Sequence, residues 1–239
     1  MKNLSDITAV ILAGGLGTRL RPVIGDRPKV LAEVGGRPFI AYLLDQLAAV
    51  RVRKVVLCTG FMSQQVKGAL GENFGSMSLC YSEEPIALGT AGALRLALPL
   101  LKSDVVLVMN GDSFCETNLK AFYLVHRLRE AKATILVREV PDTSRFGWIE
   151  IENDGRISGF IEKHKTNGPG WINAGIYLIH RPLLETISPD RMVSLEKDIF
   201  PSWIGKGLYG FRCQGQFLDI GTPESYLAAQ QGSLSERVL

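Results

Sequence analysis

The sequence predicts an α/β fold: a mixed, mostly parallel sheet with helices on both faces and a small antiparallel region. Three observations lead there. Short runs rich in Val and Ile recur without polar alternation, as in strands buried on both faces; helix-period segments separate them; and after Ala133 two-residue alternation sets in. With 239 residues, 46% of them hydrophobic, the chain can bury a substantial core. No linker, repeat or low-complexity segment interrupts it, so one domain is expected over 1–239, with residues 1–132 and 133–239 as its two halves.

In order, "ITAVILA" reads as a first buried strand, "KVVLC" as a second, "MSLCYS" as a third and "DVVLVM" as a fourth. Between them "PFIAYLLDQLAAV", "MSQQVKGAL" and "GTAGALRLALPLL" carry apolar residues at helical spacing, the first opening with a proline suited to an initial turn. Beyond Ala133, "ATILVREV" is another strand, and "GWIEIENDGRISGFIEK" alternates around Asn153-Asp154-Gly155 as a hairpin does. "WINAGIYLI" is a further strand, "SLEKDIFPSWI" a capped helix beginning at Ser194, and "LYGFRCQGQFLDIGTPESYLAAQQ" two short strands and a last helix.

Composition excludes several classes of function. A net charge of +3 with 21% charged residues, and no stripe of Lys and Arg, speaks against general nucleic-acid binding. Cys58, Cys80, Cys115 and Cys213 lie far apart in sequence without a C-x-x-C pair, so neither a zinc site nor a redox motif is indicated. No signal sequence opens the chain and no apolar run approaches the roughly 18 residues of a membrane span. A cytoplasmic protein without a membrane partner is expected.

"AVILAGGLGTRLRP", Ala9 to Pro22, carries the first chemical signal. Glycines after a strand let backbone N–H groups approach an anion closely, and phosphate is the natural guest. The turn is not a dinucleotide fingerprint, which would need a glycine where Leu20 stands, nor a Walker loop, since no G-K-[ST] follows. It offers instead Arg19 and, in "DRPKVL", Lys29: two cations able to grip a triphosphate, or simply solvated charges on a glycine-rich connection. At the end of the fourth strand "NGDS" places Asp112 where ligands gather in open α/β sheets. Such an aspartate is either a helix cap or a magnesium ligand beside phosphates, and Asp219 in "FLDIGTPESY" supplies a second carboxylate.

These stretches, with "PKVLAEVGGRPFI", "EEPIALGTAGAL", "FIEK" and "NAGIYL", resemble in order the sugar-1-phosphate nucleotidyltransferases, from Ala13 to Tyr226. The resemblance implies a Rossmann-like domain that joins a nucleoside triphosphate to a sugar 1-phosphate and releases pyrophosphate. By similarity, Leu12, Gly14, Gly15, Gly17, Thr18, Glu84, Gly89, Thr90 and Asn110 hold the nucleotide. Arg19 sits on the β and γ phosphates, Lys29 on the α-phosphate, and Asp112 and Asp219 hold Mg2+. Lys163 takes the sugar phosphate, Glu162 and Asn173 the sugar hydroxyls, and Gly147 leaves room for the ring; the antiparallel region is then the sugar-binding part. Lys163 also fits an exposed lysine in a polar hairpin. Glu196 fits either a capping-box partner of its helix or a sugar contact. His126 and His180 read as core-edge residues, and Trp171 and Trp203 as core or pocket wall.

"LGTAGAL", Leu88 to Leu94, resembles the guanylyltransferase branch, although Ile86 and Ala87 stand between "EEP" and "LGTAG" where the mannose-type enzymes run straight on. "VIGDRPKVLAEV" and "SLEKDIFP", together with a chain that shows no β-helix repeats after Tyr226, resemble the branch acting on D-glycero-α-D-manno-heptose 1-phosphate with GTP. A uridylyl- or thymidylyltransferase for a hexose or N-acetylmuramic acid 1-phosphate, and a non-catalytic nucleotide-sugar sensor, are the alternatives. A homo-oligomer stays open.

Overall fold

The structure, a computed structural model, describes residues 4–161 and 168–231. In chain order its strands are β1 (Thr8–Leu12), β2 (Glu33–Val34), β3 (Arg37–Pro38), β4 (Lys54–Thr59), β5 (Asn73–Phe74), β6 (Met77–Glu83), β7 (Val105–Asn110), β8 (Ser113–Cys115), β9 (Ala133–Val140), β10 (Trp148–Ile151), β11 (Ile157–Ile161), β12 (Gly170–His180), β13 (Leu208–Cys213) and β14 (Phe217–Asp219). The helices are α1 (Arg21–Ile24), α2 (Phe39–Ala49), α3 (Ser63–Leu70), α4 (Gly89–Ala97), α5 (Leu119–Leu128), α6 (Arg181–Glu185) and α7 (Pro223–Gln231).

Eight strands form one sheet in the order β13-β9-β12-β7-β1-β4-β6-β5. β1 lies parallel to β4 and β7, β4 to β6, and β9 to β13; β12 runs antiparallel to both of its neighbours, and β5 to β6. The sheet is mixed and mostly parallel, as its apolar runs predict. The change of pattern at Ala133 has a narrower meaning than an attached region. β9, β12 and β13 extend the main sheet, while the β10–β11 hairpin pairs apart from it, Trp148 opposite Ile161, as does β14 with β8. Its turn forms as expected: Gly155, at φ +87°, donates its N–H to the Glu152 carbonyl at 3.0 Å.

Alternate residues of β1 serve opposite cores. Ala9 and Ile11 pack with Phe39 and Leu43 of α2 and Phe122 of α5, while Val10 packs with Ala91 and Leu94 of α4. Burying each of the larger side chains, Val10 and Ile11 among them, stabilises the fold by about 1.5–3 kcal/mol relative to exposure, which is why β1 is apolar on both faces beyond Thr8. No helix among the described residues is long and apolar enough to cross a membrane.

Besides several short strands and turns, two longer stretches differ from the sequence expectation. α5, capped by Asn118 through the Ala121 N–H at 3.0 Å, fills a stretch to which the sequence patterns assign no element. The helix expected from Ser194 is a single π turn, Leu195–Ile199, followed by a 3-10 turn at Pro201–Trp203. Pro201 has no N–H to offer the preceding turn, so an α-helix cannot continue through it. Cys115 and Cys213, distant in sequence, come together with their sulfurs 3.8 Å apart.

His126 lies inside the fold on α5, 1% exposed, with Nδ1 2.8 Å from Thr134 Oγ1. Burial, helped by the His180 and Arg127 charges, lowers its pKa from 6.5 to about 4. The unfolded chain therefore takes up this proton first, and stability present above pH 6.5 is lost as pH falls toward 4, by up to about 3 kcal/mol. Urea unfolding from pH 7 to pH 4 tests this: His126→Gln should flatten that part of the acid limb, and an unchanged slope would contradict it.

Candidate active site

The carboxyl ends of β1, β6 and β7 open into one crevice, where backbone chains approach with little between them. The Ala13 N–H reaches the Cys58 carbonyl at 2.7 Å and the Gly111 N–H reaches the Leu12 carbonyl at 3.0 Å. A Cβ on Gly14 would stand 2.5 Å from Glu84 Oε1, so a larger residue there would have to push the Glu84 carboxylate aside. Gly17, at φ +62°, turns the chain so that its carbonyl accepts from Leu20 and Arg21.

The result is a cavity of about 400 Å³. Leu12, Gly14, Gly15, Gly17, Thr18, Arg19, Lys29, Glu84, Gly89, Thr90, Asn110 and Asp112, which lie far apart in sequence, all line it. So does Ala87, while Ile86 is 66% exposed, so the two-residue departure before "LGTAG" meets the cavity wall through Ala87 alone.

At one end Lys29 Nζ and Asp112 Oδ2 pair at 2.6 Å, the lysine side chain only 11% exposed. β14 lies antiparallel to β8 with Asp219 opposite Ser113, and the Ile220 N–H donates to the Asp112 carbonyl at 2.9 Å. The two carboxylate-bearing residues therefore sit on adjoining backbone. Asp219 itself does not line the cavity, but Gly221 does, and it donates its N–H to Asp219 Oδ2 at 3.1 Å. Among the described residues no three His, Cys, Asp or Glu gather as a metal cage. Two hard carboxylates suit Mg2+, which takes one or two and completes its shell with phosphate oxygens and water.

At the other end Glu84 accepts from the Leu88 N–H at 2.9 Å, and burial raises its pKa above the ordinary carboxylate range against that bond. Thr90 donates its hydroxyl to Glu196 Oε2 at 2.8 Å, as does Ser194. The two readings of Glu196 separate here: the capping-box contact to the Ser194 N–H comes from Asp198 Oδ2 at 2.7 Å, and the Glu196 carboxylate faces the cavity-lining Thr90.

Behind Glu196 lies Tyr177, fully buried, which sequence reasoning missed. Its hydroxyl donates to Glu196 Oε1 at 3.3 Å and accepts from Asn173 Nδ2 at 2.9 Å and Asn110 Nδ2 at 3.3 Å. Burial pushes the phenol well above its usual pKa, so it stays protonated and able to donate. A tyrosine inside an aliphatic strand needs a partner for its hydroxyl, and that was the available signal. Asn110 Oδ1 remains buried without a partner, an acceptor beside the cavity. Tyr177→Phe should strand the two amides and cost about 1–3 kcal/mol in urea unfolding; a loss under about 0.5 kcal/mol would show that the network is slack.

Gly147, at φ +79°, precedes β10 away from the cavity, and Asn173 turns toward Tyr177 and the Gly175 N–H. Glu162 and Lys163 lie outside the described residues. Arg145, also missed, stands 3.6 Å from Asp219 Oδ1. Trp203 is 7% exposed against Phe200, a core residue, whereas Trp171 is half-buried beneath Arg212.

A crevice at the strand ends, lined by a glycine-rich turn, two cations and a carboxylate, defines an α/β protein that handles phosphate groups. The chain belongs to the nucleotidyl transferase family, which matches residues 8–236. It is 32% identical to D-glycero-alpha-D-manno-heptose 1-phosphate guanylyltransferase of Aneurinibacillus thermoaerophilus, over 93% of this chain and 96% of that protein. It is 31% identical to mannose-1-phosphate guanylyltransferase of Mycobacterium tuberculosis over 92% of this chain, and spans 63% of that relative's length. Among solved structures, HddC from Yersinia pseudotuberculosis superposes with a TM-score of 0.84 at 31% identity, covering 94% of this chain and 98% of that one. HddC complexed with GMP-PN superposes at 0.83 and 30% identity, over 94% of this chain and 98% of that one. The sequence resemblance and the mixed α/β sheet are thereby confirmed.

Proposed function

We propose that this chain transfers a guanylyl group from GTP to D-glycero-α-D-manno-heptose 1-phosphate, releasing pyrophosphate and forming a GDP-sugar. The observation that carries the reading is the single cavity in which the glycine turn, Arg19, Lys29 and Asp112 meet. The relatives support guanine and, through the heptose enzyme matched over nearly its whole length, the sugar.

In this reading the backbone of Gly14 to Thr18 cradles the triphosphate. An oxygen of the sugar phosphate attacks the α-phosphorus, the new O–P bond forms, and the bond to the bridging oxygen breaks as pyrophosphate leaves. No protein nucleophile is needed because the acceptor is already ionised. Arg19 stabilises charge on the departing pyrophosphate and Lys29 the α-phosphate, so both anions are held in line. Asp112 and Asp219 hold Mg2+, which supplies Lewis-acid polarisation of phosphate oxygens. Glu84 and Thr90 face the base and, through Glu196 and Tyr177, tie that end of the cavity to Asn173 on the sugar side.

Pyrophosphate release, with GTP, UTP, dTTP, CTP and ATP each offered against heptose, mannose, glucose and N-acetylmuramic acid 1-phosphates, tests the assignment. GTP with the manno-heptose phosphate should turn over fastest. Preference for UTP or dTTP would refute the base, and silence across the panel would refute the reaction.

A further inference from the structure

We propose that Arg145 is a positioning residue that keeps Asp219 paired before a divalent metal arrives and is displaced from it when the metal binds. The inference rests on the metal reading of Asp112 and Asp219 given above. The two carboxylates are paired unequally. Lys29 meets Asp112 at 2.6 Å with its side chain 11% exposed, and pulling that pair apart would strand a shielded ammonium. Arg145 meets Asp219 Oδ1 at 3.6 Å and donates one long hydrogen bond, 3.4 Å, to Thr222 Oγ1; with its side chain 49% exposed, water can replace both contacts.

The other partners of Asp219 are fixed. Gly221 holds Oδ2 through its backbone, and the Ser225 hydroxyl holds Oδ1 at 3.1 Å. Ser225 is itself locked into the first turn of α7: its hydroxyl accepts from the Thr222 N–H at 3.1 Å, and its own N–H reaches Thr222 Oγ1 at 3.3 Å. Oδ1 carries both Ser225 and Arg145, so a metal that takes Oδ1 displaces Arg145 rather than the turn.

Arg145 is delivered by the segment between β9 and β10. The neighbouring Phe146 ring packs edge-on against Phe217 of β14 at 5.7 Å, two residues before Asp219, and the guanidinium lies 5.3 Å from the Phe146 ring centre. Neither contact depends on the ion pair, so the arm stays close after release. Its positive charge opposes a free cation approaching Asp219. A metal carried in on a triphosphate brings anionic oxygens that offset this opposition, so Arg145 favours entry of metal and nucleotide together. Removing one charge about 4 Å away in a partly solvated setting corresponds to about tenfold in free-metal affinity.

The test is Mn2+ binding to the full chain without nucleotide, followed by electron paramagnetic resonance. Arg145→Gln should bind free Mn2+ about tenfold more tightly than the wild type, Arg145→Lys should restore the wild-type affinity, and Asp219→Asn should weaken binding in every background. A merely structural arginine would lower the thermal midpoint without tightening the metal. Unchanged or weaker Mn2+ binding in Arg145→Gln that is folded by circular dichroism overturns the proposal and leaves the metal reading standing. Mn2+ binding indifferent to Asp219→Asn removes the metal reading, and this proposal with it.

Discussion

Arg19→Ala should lower kcat by about a hundred- to a thousandfold while leaving the unfolding midpoint unchanged. Arg19 lines the cavity, and among the described residues it forms no ion pair with a carboxylate. Its loss therefore breaks no ion pair among the described residues, and surface changes of that kind stay within about 0.5 kcal/mol. What it removes is a preorganised cation aimed at charge that develops as pyrophosphate departs, and deleting one such donor costs rates of that order. Steady-state kinetics separates the possibilities: a higher KM for the sugar phosphate with kcat intact would contradict the role, since uniform binding and transition-state stabilisation divide in that way.

Asp112→Asn should be as damaging to turnover, by about a hundredfold or more, but for two reasons that stability measurements can part. One is the lost carboxylate for Mg2+. The other is Lys29, which is left in a nearly buried setting without its 2.6 Å partner. Because Asp112 is 41% exposed, water softens that loss, and a destabilisation of about 1 kcal/mol is expected. If the metal role is right, raising Mg2+ should recover part of the activity; wild-type turnover in Asp112→Asn would remove this carboxylate from the mechanism altogether.

The parts of this site that were legible in the sequence are those in which one short stretch carries its own constraint. "AGGLGTRLRP" announces a bare turn after a buried strand, where Gly14 packs close against the Glu84 carboxylate and Gly17 adopts positive φ. "NGDS" and "FLDIG" each end a strand, and the sheet then brings Asp112 and Asp219 onto adjoining backbone. What was not legible depends on contacts between residues far apart in the chain. The Thr90 to Glu196 bond spans 106 residues, and nothing near Glu196 says that Asp198 takes the capping contact instead. Tyr177 reads locally as one more apolar strand residue, and Arg145 as one more exposed charge. Each acquires its meaning only when β12, β14 and the segment before β10 are set against the cavity. α5 shows in the sequence only as helix-like surroundings at His126, with no bounds set for the helix.

The central claim is that the glycine-lined cavity holds GTP for transfer of its α-phosphoryl group. GTP labelled at the α-phosphorus, incubated with Mg2+ and D-glycero-α-D-manno-heptose 1-phosphate and resolved by chromatography, tests it most directly. The label should move into a GDP-sugar with one pyrophosphate released per transfer. Label that stays in GTP, or that emerges as GDP or GMP with the sugar phosphate untouched, would contradict it.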